Sequence, residues 1–291
     1  RQRKDIAALI GASPAEVFFT SGGTEADNIA IKCSAMGQGI EQMITTRIEH
    51  HAVTHPIEEQ ESRGMPVTWL NVDRFGFPDL NQLEDTLKNG KKSFVSLMHA
   101  NNELGTMIDL NAVAALCDQY GAIFHSDTVQ SMAHVKYQLS ETPVHFVTAS
   151  AHKFYGPKGV GFLYVKAGTQ IPALICGGSQ ERNMRAGTEN IAGISALAYS
   201  LKKCYGSFED KTAHLRMLKA RMKAGLESVV PGVSFNGAIG EDNSIPTVLN
   251  TAFPAEEADS MLLFNLDIAG ISASGGSVSY THLRAHETSL H

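Results

Sequence analysis

Short apolar runs alternate along the chain with longer segments in which apolar residues recur every three or four positions. The short runs have the length and composition of buried strands, and the longer segments have the period of amphipathic helices. This alternation predicts an α/β domain with a mostly parallel sheet flanked by helices. The predicted strands are Val17–Thr20, Met43–Thr46, Val67–Asn71, Phe94–Met98, Ala122–His125, Phe146–Ala149 and Gly161–Val165. The predicted helices are Glu25–Ala35, Leu80–Lys88, Asn111–Tyr120, Asn190–Lys203 and Lys211–Val229.

The pattern changes near Pro231–Gly232, where a second, smaller domain could begin. Beyond this point the pattern predicts a strand at Thr247–Phe253 and a helix at Glu256–Leu266.

Composition and charge argue against several classes of protein. The 291 residues carry 24 basic and 30 acidic side chains, a net charge of −6, and no basic patch stands out, so nucleic acid is not an expected partner. No apolar run is long enough to span a bilayer, so we expect no membrane partner. The four cysteines form no C-x-x-C pair, which favours a reducing cytoplasm over a disulfide or zinc framework.

Polar side chains cluster directly after the predicted strands. Asn102 follows one strand, Asp127 and Gln130 follow the next, and Lys153 follows another. In open α/β sheets, ligands bind at the carboxyl ends of the strands. These residues can therefore meet in one crevice although they are distant in sequence.

The segment from Ser21 to Glu25 follows a strand and opens a helix. Its glycines let a ligand approach the backbone, and the free N–H groups of a helix N-terminus attract phosphate. Thr24 could donate to such a phosphate or simply cap the helix, and both interpretations stay open.

Lys153 lies in the segment Ser150–Gly159, immediately after a predicted buried strand. A lysine that forms a Schiff base needs burial to lower its ammonium pKa, and such a position could provide it. A surface lysine in a turn is the alternative. The role of Asp127 also has two interpretations, because a carboxylate at a strand end suits either a protonated pyridine nitrogen or a helix cap.

Two further segments carry candidate ligands. His50 and His51 follow the strand Met43–Thr46, where an imidazole could stack on a cofactor ring or move protons, although most histidines are structural. The long polar loop from Cys176 to Thr188 includes arginines that suit phosphate or carboxylate recognition.

Taken together, six motifs in order resemble the class V aminotransferase family, and cysteine desulfurases in particular. The motifs are Ser21-Gly22-Gly23-Thr24-Glu25, Glu49-His50-His51-Ala52-Val53, His99-Ala100-Asn101-Asn102-Glu103-Leu104-Gly105, His125-Ser126-Asp127-Thr128-Val129-Gln130-Ser131, the Lys153 segment and Arg185-Ala186-Gly187-Thr188. The resemblance runs from about Ala7 to Ser277. It implies the PLP-dependent transferase fold type I, with pyridoxal 5′-phosphate (PLP) as cofactor.

The resemblance also implies a role for each matching residue. Lys153 would bind PLP covalently and move the substrate α-proton, and His50 would stack on the ring and assist proton transfer. The other cofactor contacts would come from Gly23, Thr24, Asn102, Asp127 at the pyridine nitrogen, Gln130 at the ring hydroxyl, Ser150, His152 and, across a homodimer, Thr188. The substrate would meet Asn102 and Arg185. No metal is expected.

The implied reaction converts free cysteine to alanine and leaves the sulfur as a persulfide on a mobile cysteine. A sulfur-acceptor or scaffold protein would then be a partner. Selenocysteine lyase, another class V PLP lyase and a catalytically dead sulfur-transfer scaffold are the alternatives, and a phosphate-binding α/β protein without PLP is a further one.

The chain departs from the family after Ser277. The family continues with alanine and the catalytic cysteine, whereas this chain has Val278 and Ser279. A hydroxyl is a poor sulfur acceptor, so we expect this polypeptide to be impaired in sulfur release. We expect a large domain over residues 1–205, an incomplete small domain over 206–277, and a non-family, artefactual tail over 278–291. We also expect a family segment to be missing before residue 1, and the arginine for the substrate carboxylate to be missing with the rest of the small domain.

Overall fold

The computed structural model describes residues 1–254 and 261–275. Its main element is a seven-stranded sheet with the strand order β1-β7-β6-β5-β4-β2-β3. The strands are β1 (Val17–Thr20), β2 (Gln42–Thr46), β3 (Val67–Leu70), β4 (Ser93–Ser96), β5 (Ile123–Asp127), β6 (Phe146–Ser150) and β7 (Gly161–Val165). Neighbouring strands from β3 to β6 are parallel, and only β7 runs antiparallel to its neighbours, β6 and β1. The prediction of a mostly parallel sheet is confirmed.

Helices cover both faces of this sheet. The described helices are α1 (Gln2–Leu9), α2 (Gly23–Gly37), α3 (His51–Ser62), α4 (Leu80–Leu87), α5 (Leu110–Gln119), α6 (Ile191–Gly206), α7 (Phe208–Val229) and α8 (Leu262–Ile268). Helices α1 to α6 pack on the sheet, whereas α7 and α8 have no buried residues. One apolar cluster includes residues of α1, α4, α5 and α6, and a second includes residues of α2 and α3. Strand β5 shows the alternation directly, since Phe124 belongs to the first cluster and Ile123 to the second. Strands buried on both faces explain why the sequence shows continuous apolar runs.

Short polar residues define where two of the helices begin. The Asp79 carboxylate accepts the backbone N–H groups of Asn81 and Gln82 at the start of α4. Asp109 does the same for Ala112 at the start of α5. These caps satisfy N–H groups that have no partner inside a helix, and they fix the positions at which the chain leaves the sheet.

The sequence pattern missed three elements. Helix α3 was not predicted because Pro56 and two histidines interrupt its apolar period, and the short helix α1 was not among the predicted helices. Strand β8 (Ser234–Asn236) was also missed, and it pairs antiparallel with β9 (Asn250–Ala252), which is shorter than the predicted strand. Part of the predicted helix at Glu256–Leu266 lies outside the described residues, as do Ser279 and the predicted tail.

The small β8–β9 sheet contacts the loop that follows β4. Asn250 donates to the Glu103 carbonyl oxygen at 3.1 Å, and the Ala238 N–H donates to the Thr106 hydroxyl at 2.9 Å. These hydrogen bonds bring the later part of the chain against one end of the large sheet. Among the helices of the described residues, none combines the length and apolarity needed to cross a bilayer.

A close approach at the start of β7 can be tested by substitution. A Cβ atom at Gly161 would lie 2.8 Å from Gly22 Cα and closer still to the carbonyl oxygen of Ala149. We therefore expect Gly161→Ala to lower the free energy of unfolding by about 1–3 kcal/mol, measured by urea denaturation.

The matched control is Gly225→Ala in the middle of α7, where nothing lies within 4 Å of the added Cβ. This substitution should stabilise the chain by about 0.5–1 kcal/mol because alanine favours the helix. Equal effects of the two substitutions would contradict the close packing at Gly161.

A candidate cofactor site at the carboxyl ends of the strands

The carboxyl ends of four adjacent parallel strands bring most of the candidate residues to one edge of the sheet. Asp127 is the last residue of β5, and Ser150 is the last residue of β6. Lys153 lies in the short 3₁₀ turn Ala151–Phe154 that follows β6. His50 precedes α3 after β2, and Asn102 follows β4.

Asp127 is a buried carboxyl group, with 5% of the residue exposed. Its side chain accepts the backbone N–H of Val129 at 2.8 Å. Burial, with a smaller contribution from the charge of Asp27, raises the pKa of Asp127 to about 8. A cation against this carboxyl would favour its ionised form, so the position suits a positively charged ring nitrogen.

A buried polar network surrounds His125, which lies on β5 two residues before Asp127. The sequence analysis did not predict this network. The His125 ring is fully buried, with Nδ1 2.8 Å from Ser96 Oγ and Nε2 3.2 Å from Thr148 Oγ1. Asp27 Oδ1 lies 3.3 Å from the same Nε2 atom. Burial raises the pKa of Asp27 to about 7 and lowers that of His125 to about 4, so both groups favour their neutral forms.

Glu49 is the third buried acid at these strand ends. It accepts the Met98 N–H at 3.0 Å and the Thr46 hydroxyl at 3.1 Å. Burial raises its pKa well above the usual value for a glutamate, and Asp127 and Asp27 add to that shift. The sequence could have indicated Asp27 as a buried acid, because it lies one turn after Gly23 on the helix face that packs on the sheet.

Lys153 is exposed, so of the two interpretations that the sequence left open, the structure agrees with a lysine in a surface turn. The 3₁₀ turn carries the lysine beyond the end of β6, and Phe154 beside it is buried instead. The ammonium group nevertheless acts on the site. Its charge lowers the pKa of Asp127 and that of His50, so Lys153 lies within electrostatic reach of both.

His50 is the N-cap residue of α3. Its Nδ1 accepts the Ala52 N–H at 3.1 Å, which fixes the ring orientation. Burial lowers the pKa of His50, and the neighbouring His51 and Lys153 lower it further. A neutral imidazole whose Nε2 carries the proton is thus presented at the edge of the site.

The N-terminus of α2 lies over the ends of β5 and β6. The N-cap residue is Gly22, and no side chain caps the helix, so the capping interpretation of Thr24 is wrong. A Cβ at Gly23 would lie 2.7 Å from Val129 Cγ2, which shows how closely this turn packs on the strand ends. Ser150 Oγ, 2.9 Å from His152 Nδ1, lies at the end of β6 beneath this turn. Backbone N–H groups and hydroxyls together can hold a phosphate here.

Asn102 and Gln130 are both half-buried near the same edge. Asn102 donates to the Glu103 carboxylate at 2.9 Å, and its Oδ1 atom is buried without a partner among the described residues. An orphaned acceptor suits a ligand that brings an N–H or O–H group.

Arg185, in the loop before α6, is held in an ion pair. Arg185 Nε donates to Glu25 Oε1 at 2.7 Å, and its Nη2 donates to Oε2 at 3.2 Å, so the guanidinium is paired beside Thr24. Thr188 is exposed. A cavity of about 340 Å³, lined by residues that include Thr24, Asn28, His50 and His55, opens between α2 and α3.

The parallel sheet with a lysine, a buried aspartate and a phosphate cradle at its strand ends defines the class of PLP-dependent transferases with fold type I. Residues 1–289 match the aminotransferase class-V family. The chain belongs to this family, and the expected membership is confirmed; the match extends beyond Ser277.

Known proteins similar to this chain agree in sequence and in fold. A cysteine desulfurase IscS from Dictyoglomus turgidum is 40% identical over 277 residues, which cover 94% of this chain and 69% of that protein. A NifS-like protein superposes with a TM-score of 0.88 at 32% identity and covers 96% of this chain and 76% of its own. DndA from Streptomyces lividans superposes with a TM-score of 0.83 at 30% identity, covering 93% of this chain and 76% of its own.

The raised pKa of Asp127 predicts how its replacement changes stability with pH. Between about pH 4 and pH 8 the folded chain keeps a proton that the unfolded chain releases, so Asp127 opposes folding increasingly as pH rises. We expect Asp127→Asn to stabilise the cofactor-free chain, with an advantage that grows by at least about 1 kcal/mol between pH 5 and pH 8. Urea denaturation at several pH values measures this advantage.

Asp118→Asn is the control, because Asp118 is an exposed residue of α5. Its effect should stay near zero throughout. An advantage of Asp127→Asn that is constant, or that shrinks as pH rises, would show that Asp127 is ionised in the folded chain.

Proposed function

We propose that this chain is a PLP-dependent cysteine desulfurase, which converts free cysteine to alanine. The observation that carries the proposal is the placement of Lys153 within electrostatic reach of both the buried Asp127 and the neutral His50. The similarity to proteins named cysteine desulfurase supports the choice of substrate.

The residues at the strand ends fit PLP. Asp127 would hold the pyridine nitrogen, since a cation stabilises this buried carboxylate. The uncapped N-terminus of α2, with Thr24, Ser150 and His152, would hold the phosphate. The unpartnered Oδ1 of Asn102 has room for a donor from the cofactor or the substrate. Gln130 would reach the ring hydroxyl.

Bound PLP supplies an electron sink for the bonds that break at the substrate. The protein would orient the substrate and move protons. Lys153 would take the α-proton at Nζ and return it. His50 would stack on the ring, with its Nδ1 held by the Ala52 N–H and its Nε2 free to exchange a proton.

The fate of the sulfur depends on the segment after Gly275. In the family a mobile cysteine takes the sulfur as a persulfide, and Ser279 stands in its place here. We infer that the parent activity is desulfuration and that this polypeptide is impaired in it. Ser279 also favours a second candidate, a catalytically inactive scaffold for sulfur-transfer proteins.

The proposal includes a homodimer in which Thr188 of each chain reaches the phosphate of the other. Its support is the exposure of Thr188, which leaves this residue accessible to a second chain. The role of Arg185 in substrate binding would require this pair to open. A cytoplasmic location and a sulfur acceptor remain part of the same proposal.

Covalent trapping tests the cofactor and its lysine. The chain is incubated with PLP, its visible spectrum is recorded, and borohydride reduction is followed by peptide mapping with mass spectrometry. We expect a pyridoxyl adduct on Lys153, and Lys153→Ala should abolish it because Lys153 is the amine within electrostatic reach of both Asp127 and His50.

Lys158→Ala is the matched control, because Lys158 is an exposed lysine in the segment between this turn and β7. It should keep the adduct. An adduct on Lys158 or on another lysine, or none at all, would refute the assignment of Lys153.

Persulfide formation tests the role of Ser279. After incubation with cysteine and PLP we expect no protein-bound persulfide on the unsubstituted chain, because a hydroxyl does not accept the sulfur. Ser279→Cys restores a thiol there, and mass spectrometry after alkylation should detect a persulfide on that residue. Persulfide on the unsubstituted chain, for instance on the exposed Cys176, would contradict the proposal.

A further inference from the structure

The loop between β7 and α6 contains three consecutive residues other than glycine in the left-handed region. The φ angle is 44° at Glu181, 56° at Arg182 and 64° at Asn183. A Cβ atom makes this conformation costly, and it persists only where surrounding contacts hold it. The contacts of this turn therefore identify what fixes the loop.

The Glu181 carboxylate is the centre of these contacts, and only 3% of its side chain is exposed. Arg3 donates to it twice, from Nη1 to Oε2 at 2.7 Å and from Nη2 to Oε1 at 2.6 Å. The Phe19 N–H donates to Oε2 at 3.0 Å. Arg3 also lies over the Phe19 ring, with its guanidinium carbon 4.5 Å from the ring centroid. A bidentate pair of this kind fixes orientation as well as distance.

Arg182 anchors the next residue of the turn to the same strand. Its Nη2 donates to the carbonyl oxygens of Ala15 at 2.9 Å and Val17 at 3.1 Å. Its guanidinium carbon lies 3.8 Å from the Phe18 ring centroid. The left-handed turn is thus attached to α1 and β1, at the opposite edge of the sheet from β3.

The turn leads directly into the segment that carries Thr188. The Ala186 N–H donates to the Ile175 carbonyl oxygen at 3.0 Å, which closes the base of the loop. The Gly187 N–H donates to the Gln180 side chain at 3.2 Å. We call residues 184–188 the threonine arm. The arm continues the chain from the turn at residues 181–183, so the turn fixes where the arm begins, and the Arg185–Glu25 pair holds the middle of the arm.

We propose that Glu181 is a positioning residue for the cofactor phosphate, and that its ion pair with Arg3 orients the start of the threonine arm so that Thr188 reaches the phosphate bound to the other chain of the homodimer. The inference rests on the proposed function, since it takes the role of Thr188 from there. Glu181 itself would not touch the phosphate, because two negative groups repel each other and its carboxylate is already filled by Arg3 and Phe19. Its contribution is the orientation of the arm.

The binding of PLP is compared with that of pyridoxal, which lacks the phosphate. The difference measures the contribution of Glu181 to phosphate binding. Glu181→Gln keeps the shape of the side chain and removes the charge. We expect it to weaken binding of PLP about tenfold, the typical loss for a charged hydrogen bond, with pyridoxal affinity changed by less than about twofold. Dissociation constants for both ligands come from spectral titration of the full chain. A purely structural role would weaken both ligands equally.

Three further variants test whether the effect of Glu181→Gln comes from the Arg3 pair and acts through Thr188. Arg3→Lys keeps the charge but loses the bidentate geometry, and it should lower PLP affinity by an intermediate factor. Glu209→Gln removes the exposed pair of Glu209 with Lys136 and should change nothing. Thr188→Ala should reproduce the phosphate-specific loss. If Thr188→Ala weakens PLP and Glu181→Gln does not, Glu181 is not a positioning residue; if neither variant weakens PLP, the route through Thr188 is wrong.

Limited trypsin digestion without cofactor separates this inference from the proposed function. Glu181→Gln should speed cleavage after Arg182 and Arg185 about tenfold, since release of the turn opens the arm. Circular dichroism checks that the variant stays folded. If the chain takes up no PLP, the proposed function fails, and the cleavage rates still decide whether Glu181 holds the arm. Unchanged cleavage in a folded variant would overturn the inference.

Discussion

A buried carboxyl at the end of a central strand constrains the whole site. Asp127 lies in the middle of the sheet, where β4 and β6 flank β5 and water is excluded. The same region contains Asp27 and Glu49, so ionisation of one acid opposes ionisation of the others. A ligand that brings a positive ring nitrogen relieves this conflict. Without such a ligand, the buried acids lower the stability of the fold. This favours binding of a cationic ligand at the strand end.

Close packing of α2 on the strand ends fixes the shape of the site around these acids. Helix α2 can lie over the ends of β5 and β6 only because Gly23 has no side chain to meet Val129. The same helix carries Asp27 one turn later, against His125 and Thr148. Thr148 is opposite Asp127 in the β5–β6 register, so the helix, the two strands and the acid form one unit. The N-terminus of α2, proposed to hold the phosphate, and Asp127, proposed to meet the ring nitrogen, are therefore held at a fixed separation by the fold itself.

The sequence predicted the sheet well because each of its strands contains apolar residues in a short segment between longer helical ones. Strands β1 and β7 were predicted with their observed bounds. Helix α3 was missed because its buried face alternates with histidines and includes Pro56, which weakens the period that identifies a helix. Asp127 and Lys153 could be found from their positions after strands. The burial of Asp27, the exposure of Lys153 and the pair Arg185–Glu25 could not, because each depends on contacts between distant segments of the chain.

The charge around the phosphate cradle indicates how a phosphate would be recognised. Arg185, the cation nearest Thr24 along the loop, is already neutralised by Glu25. Burial lowers the pKa of His152, and the charges of Lys153 and Lys158 lower it further, so this imidazole is neutral near pH 7. Recognition would then rest on oriented N–H and O–H donors and on the helix dipole more than on a paired cation. Such donors distinguish a phosphate by the direction of its oxygens, so the orientation of the threonine arm would matter more than an added charge at the phosphate.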